Sequence, residues 1–80
     1  MHELGILYQT LRAVDGIAQK NHIKQIKHIT LEIGEDSGVV QVYMEKLFPV
    51  AAERFPLVQN ARLNFLTIPG KELHIKDIGY

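Results

Sequence analysis

Residues 28–38, His-Ile-Thr-Leu-Glu-Ile-Gly-Glu-Asp-Ser-Gly, contain the pattern that decides the fold. Ile29, Leu31 and Ile33 alternate with polar residues, which predicts a strand with one buried face and one solvated face. The strand then runs into a segment where two glycines, at 34 and 38, enclose three residues that favour turns or caps. A strand buried on one face needs other elements to cover that face, and the flanking segments supply candidates.

The segment before this strand has a helical period. Its apolar residues step by three or four positions, at Leu4, Leu7, Leu11, Val14 and Ala18. Glu3 lies in the first turn, where a negative charge complements the helix dipole, and Lys20 and Asn21 are suitable C-terminal residues. We therefore predict a helix over residues 3–20, although Gly16 within it costs about 1 kcal/mol relative to alanine.

A second helical pattern follows the glycine-bounded turn. Its apolar residues step by four, three and four positions, at Val40, Met44, Leu47 and Ala51. We predict a helix from about residue 40 to residue 54. Pro49 lies inside it and removes the bond to the carbonyl of Glu45, so we expect a kink or an early end there. Phe55 precedes Pro56 and therefore avoids helical angles, which ends the helix in any case.

Two more alternating segments predict strands, at residues 61–65 and 73–76, with a turn at Pro69-Gly70 between them. These two strands are close enough in sequence to form an antiparallel hairpin. The first two strands are joined through a helix, which permits a parallel crossover. The predicted fold class is α+β, with two helices packed on one face of a three-stranded mixed sheet in the order α-β-α-β-β. One domain spans residues 1–80.

The other face of the predicted sheet carries both polar and apolar residues. The polar ones are Thr30, Glu32, Arg62, Asn64, His74 and Lys76, and the apolar ones are Ile26, Leu66, Ile68 and Ile78. An apolar patch on an open sheet face often marks a partner surface, so we expect a homodimer through this face. The alternative is a set of scattered exposed hydrophobic residues, which are common on soluble proteins.

The composition excludes several functional classes. Nine Lys and Arg residues balance nine Asp and Glu residues, and the net charge of +0 provides no field that attracts nucleic acid. The chain has no cysteine, so neither a thiolate nucleophile nor a cysteine zinc site can form. A glycine-rich phosphate loop and a serine with a recognisable base are also absent, so we predict that the chain is not an enzyme. The apolar runs are too short to span a bilayer, and a cytoplasmic location is expected.

The first three residues, Met1-His2-Glu3, form a candidate metal site. An amine, a backbone amide and the His2 imidazole are held covalently within reach of one point. Such nitrogen donors suit a square-planar metal such as Ni(II) or Cu(II), and they give no preference for nickel over copper. The arrangement requires an unblocked amine at Met1. A solvated chain terminus is the ordinary alternative.

Other candidate ligands are weaker. His28 and His74 lie on the solvent side of the first and third strands and would meet Glu32 in a second site only if those strands are neighbours. A solvated face is the simpler interpretation. Glu35 and Asp36 could supply oxygen donors from the glycine-bounded loop, although turn formation also explains them. The remaining histidine, at position 22, is expected to cap the first helix or face water.

Several separated stretches resemble one protein family. They are Met1-His2-Glu3-Leu4, residues 31–35 with residues 37–40, Ala51-Ala52, Ile68-Pro69-Gly70 and residues 71–78. In this order they are similar to the HypA/HybF family of metallochaperones, which help to insert nickel into nickel-iron hydrogenase. The resemblance implies that His2 is the Ni(II) ligand and that Glu3 lies in or beside the site. It also implies a hydrogenase large subunit or another nickel-delivery protein as partner.

The resemblance includes one departure. Members of the family carry a zinc domain with two CxxC pairs between the last two strands, whereas Pro69-Gly70-Lys71 joins those strands directly here. The chain therefore resembles a shortened form that keeps the nickel-binding domain, and no zinc is expected at the family's structural site. The alternative function is a metal-independent interaction or dimerisation module that retains the fold.

Overall fold

The computed structural model describes residues 2–80 and contains two helices and three strands in that range. They are α1 (Glu3–Lys20), β1 (His28–Gly34), α2 (Gln41–Ala52), β2 (Arg62–Ile68) and β3 (Leu73–Gly79), with a short 3₁₀ helix at Pro56–Val58 before β2. This order confirms the predicted α+β fold. Neither helix in residues 2–80 combines the length and the apolar content needed to cross a membrane.

Strand β1 is the middle strand of the sheet, in the order β2-β1-β3. It pairs in parallel with β2, as expected for strands joined through a helix, and antiparallel with β3. The hairpin predicted between β2 and β3 is therefore wrong, since each of them pairs with β1. Ile29 and Leu31 of β1 are fully buried, and a central position satisfies the backbone of this apolar strand on both edges.

The link between β2 and β3, residues 69–72, must cross the end of β1. It passes directly over Gly34, the last residue of that strand. A Cβ atom at position 34 would lie 2.8 Å from the carbonyl carbon of Gly70 and 2.9 Å from the amide nitrogen of Glu72. Gly70 itself has a φ of +100°, a conformation that favours glycine. The two glycines therefore allow a link of only a few residues to make this crossing.

Both helices pack on one face of the sheet and enclose the core. The fully or nearly buried members are Leu7, Leu11, Val14, Ala18, Ile26, Ile29, Leu31, Met44, Phe48, Ala51, Ala52 and Val58. Helix α1 has the predicted bounds. Helix α2 starts one residue later and ends two residues earlier than predicted, and it continues past Pro49. Phe48 precedes the proline and Ala51 follows it in the core, so packing holds the helix on both sides of the lost hydrogen bond.

Two residues that we placed on the open sheet face belong to the core. Ile26 is 0% exposed, and its amide donates to the carbonyl of Leu57 at 2.8 Å. Ile78 packs against the core because a β-bulge shifts the alternation of β3. Leu66 and Ile68 remain as the apolar members of the predicted patch, and Leu66 is 42% exposed.

Candidate metal site

His2 immediately precedes α1 and is exposed. Its carbonyl accepts the first helical hydrogen bond, from the amide of Ile6 at 3.1 Å, while its imidazole does not cap the helix. The first amides of a helix have no partner within the helix, so the amide of His2 makes no helical hydrogen bond. His2 is therefore an exposed residue whose backbone amide has no partner within the helix. Met1, the other predicted nitrogen donor, lies outside the described residues.

Glu3 is buried, with 6% of its surface exposed. Its Oε2 atom accepts a hydrogen bond from the amide of Val40 at 3.0 Å. Val40 is the N-cap residue of α2, so this carboxylate ties the start of one helix to the start of the other. The Val40 amide holds the pKa of Glu3 below its ordinary value of 4.5, and burial, which acts in the opposite direction, is weaker. Glu3 is therefore an ionised carboxylate at neutral pH.

The side chains near this end of α1 do not form a complete metal cage. No group of three His, Asp or Glu residues in the range 2–80 is arranged to hold a metal ion. His2 and Glu3 supply one imidazole and one carboxylate, so a nitrogen-rich donor set here would need backbone nitrogens as well. That combination is the nitrogen-rich, planar set that Ni(II) and Cu(II) accept.

The condition for a second site on the open face, that the first and third strands are neighbours, is met. Strands β1 and β3 are neighbours, and Glu32 lies opposite His74 in their register. The His74 Nε2 atom is 3.4 Å from Glu72 Oε2, and His28 Nε2 is 3.4 Å from Asp77 Oδ1. The side chains of both pairs are at least 43% exposed, and the described part of the chain gathers no third ligand around either histidine. A solvated face accounts for them.

The loop carboxylates do not join His2 and Glu3 in a cluster within residues 2–80. Glu35 and Asp36 are both exposed, and their amides are used by the loop, as described below. Their part in turn formation is supported, and their part as oxygen donors is not.

His22 caps α1 as expected. Its φ is +56°, its amide donates to the carbonyl of Gln19 at 3.3 Å, and the amide of Ile23 donates to Ala18 at 2.8 Å. This pair of bonds is a Schellman motif, which satisfies the last carbonyls of the helix. His22 therefore has a structural role at the far end of α1 from His2.

Sequence reasoning missed Val40 as part of this region. It predicted Val40 only as an apolar residue at the start of α2, whereas the structure shows that its amide binds the Glu3 carboxylate. The bond spans 37 positions and uses a backbone group, which any non-proline residue carries. No side-chain pattern in the sequence could therefore have indicated it.

Comparison with known proteins identifies the family. The family model described as "Hydrogenase/urease nickel incorporation, metallochaperone, hypA" matches residues 1–78. The hydrogenase maturation factor HypA of Albidiferax ferrireducens is 36% identical over 70 residues, covering 88% of this chain and 61% of the relative. That of Trichodesmium erythraeum is 37% identical over 70 residues, covering 88% of this chain and 58% of the relative. The chain thus spans less than two thirds of the length of these relatives.

Solved structures show the same fold. The solution structure of the Ni metallochaperone HypA from Helicobacter pylori superposes with a TM-score of 0.78 at 18% identity, covering 96% of this chain and 72% of that one. A second solution structure of a HypA protein gives a TM-score of 0.71 at 18% identity, covering 96% of this chain and 71% of that one. The family match over nearly the whole sequence carries the assignment, and the shared fold agrees with it. The chain belongs to the HypA family of hydrogenase/urease nickel-incorporation metallochaperones, which are maturation factors and not enzymes.

Proposed function

We propose that this chain binds Ni(II) at the start of α1 and passes it to a partner in hydrogenase maturation. The His2 imidazole is the principal ligand, the amine of Met1 and the amide of His2 are further nitrogen donors, and Glu3 lies beside the metal. Family membership supports the choice of nickel. The structural observation that carries the proposal is the exposed His2 directly beside a buried, anchored Glu3.

The bond from Val40 to Glu3 supports the site physically. Chain termini usually fray, which would cost entropy each time a metal orders them. Here the first turn of α1 is tied to the start of α2 through Glu3, so the residue after the ligand already has a fixed position. Because the turn that follows His2 is already ordered, metal binding at His2 costs less entropy than it would at a frayed terminus.

The exposure of His2 also suits transfer. A metal held at an open helix start can be reached by the ligands of a second protein without unfolding of the chaperone. The predicted recipient is a hydrogenase large subunit or another nickel-delivery protein. Since the chain spans less than two thirds of its relatives, recipient and cytoplasmic location both stay predictions.

The proposal is tested by titrating the untagged protein with Ni(II). Binding is monitored by calorimetry and by the visible spectrum of the metal. We expect one nickel ion per chain, and we expect His2→Ala or an N-terminal extension to abolish binding because each removes a donor of the plane. His28→Ala is the matched control, because it removes an imidazole from the open sheet face and leaves α1 intact. Nickel binding that survives both His2→Ala and the extension would contradict the proposal.

The alternative function, a metal-independent dimerisation module, has less support. It depended on an apolar patch of four residues on the open face, and of these Ile26 is buried in the core and Ile78 packs against it. The family match favours the nickel function. Dimerisation remains a prediction that rests on Leu66 and Ile68.

A further inference from the structure

We infer that the link between β2 and β3, residues 69–72, positions the Glu3 carboxylate through the loop of residues 34–40, with Ser37 as the positioning residue. The loop joins β1 to α2 and lies between the link and the start of α1. The effect of this chain of contacts on nickel affinity rests on the proposed function. The contacts themselves do not.

The first step joins the link to the loop. Three loop amides donate to carbonyls of the link or of the strand end that enters it: Gly34 to Glu72 at 2.7 Å, Glu35 to Ile68 at 2.8 Å and Asp36 to Gly70 at 2.9 Å. All three distances are typical of well-formed backbone hydrogen bonds, and together they hold the two segments in one arrangement. The course of the link therefore determines where the beginning of the loop lies.

The second step passes through Ser37. Its amide donates to the carbonyl of Gly34 at 3.0 Å, and its Oγ atom accepts the amide of Val39 at 3.1 Å. Ser37 is buried and the bond to its hydroxyl is partly buried, which limits competition from water. The next residue, Gly38, has a φ of +78°, which lets the chain reverse between the two bonded amides.

The third step reaches Glu3. The next amide along the chain is that of Val40. It donates a hydrogen bond to Glu3 Oε2 at 3.0 Å. Because each peptide unit is planar, only the φ and ψ angles of Val39 separate its amide from that of Val40, so holding the amide of Val39 in place limits where the amide of Val40 can lie. A buried carboxylate that loses such a donor is left with an uncompensated charge. Loss of the Ser37 hydroxyl is therefore transmitted to Glu3 and to the helix turn that follows His2.

Two variants test this path in the metal-free protein. Ser37→Ala removes the acceptor of the Val39 amide, and Gly34→Ala places a Cβ atom against Gly70 and Glu72 and displaces the link. We expect hydrogen exchange of the Val40 amide to be faster by roughly tenfold or more in both variants. Ser37→Thr, which keeps a hydroxyl, should restore slow exchange. Gly16→Ala is the control, because a Cβ atom there has no neighbour within 4 Å.

Nickel titration of the same variants gives the second measurement. We expect Ser37→Ala to weaken nickel binding by about tenfold or more, as for other partners that orient a metal ligand. Unchanged exchange at Val40 in Ser37→Ala would overturn the inference, and this variant decides the matter if Gly34→Ala does not fold. Faster exchange with unchanged nickel affinity would uphold the positioning path and count against the proposed metal site. Wild-type protein that binds no nickel would refute the proposed function, while the exchange result would still decide the path.

Discussion

At the residue scale, Glu3 is the side chain with the most consequences. Its position in the first turn of α1 made it a favourable charge for that helix, and the resemblance placed it beside the metal. The structure adds that it is buried and that its partner is the amide of Val40, at the start of α2. A backbone donor does not titrate, and no substitution at position 40 other than proline removes it, so the bond depends on the Glu3 carboxylate and on the loop being in place.

Acid should therefore weaken the fold through Glu3. Because folding lowers the pKa of Glu3 below 4.5, the ionised group stabilises the folded chain. This contribution is complete above the unfolded-state pKa and is lost as the pH falls through the lowered folded-state pKa. We expect the free energy of unfolding, measured in urea from pH 7 down to pH 3, to fall less steeply for Glu3→Gln than for wild type. The exposed control Glu53→Gln should keep the wild-type slope, and equal slopes for all three proteins would refute this expectation.

At the element scale, local sequence signals predicted the bounds of an element correctly where the residues that begin and end it lie within or next to it. Helix α1 has the predicted bounds because its apolar stripe and its C-terminal motif lie within the helix and the three residues after it. Helix α2 continues past Pro49 because burial of Phe48 and Ala51 outweighs the local preference. The extra residue in β3 was not predictable, because a bulge is defined by the register with a neighbouring strand.

The reassigned residue Ile26 gives a direct test of burial. We expect Ile26→Ala to lower the free energy of unfolding by about 2–5 kcal/mol, because it leaves a cavity where a fully buried side chain was. Leu66→Ala is the matched substitution on the open face and should cost only about 0.5 kcal/mol. Urea unfolding of the two variants measures both values. A loss for Leu66→Ala as large as that for Ile26→Ala would contradict the assignment of faces.

At the scale of the whole molecule, the sheet order places the crossing link, the loop and the start of α1 in one chain of contacts. With β1 in the middle, the chain must pass over the end of β1 to travel from β2 to β3. That crossing brings the link against Gly34 and, through the loop, towards Glu3. A hairpin between β2 and β3, as the sequence predicted, would not have placed the link against the loop. The backbone hydrogen bonds from Gly34, Glu35 and Asp36 to Glu72, Ile68 and Gly70 would then be absent.

Self-association through the open sheet face is the remaining prediction at this scale. The apolar residues still available there are Leu66 and Ile68. If a homodimer forms through them, Leu66→Glu should shift sedimentation towards the monomer because it buries a charge in the contact. Val50→Glu changes an equally exposed valine, 46% against 42%, on helix α2 and should leave the association unchanged. A wild-type chain that sediments as a monomer at high concentration would rule the dimer out.

The sequence by itself determined the elements, their order and the family, because periodicity, turn residues and the Met1-His2-Glu3 start are all local in the chain. It also identified His2 as the candidate ligand, by chemistry and by resemblance. Only the tertiary structure decided that β1 is central, that Ile26 is buried and Ile78 packs against the core, and that Glu3 is tied to Val40. These facts depend on strand register and on backbone amides. Every non-proline residue offers the same amide, so only the folded arrangement selects which one a carboxylate binds.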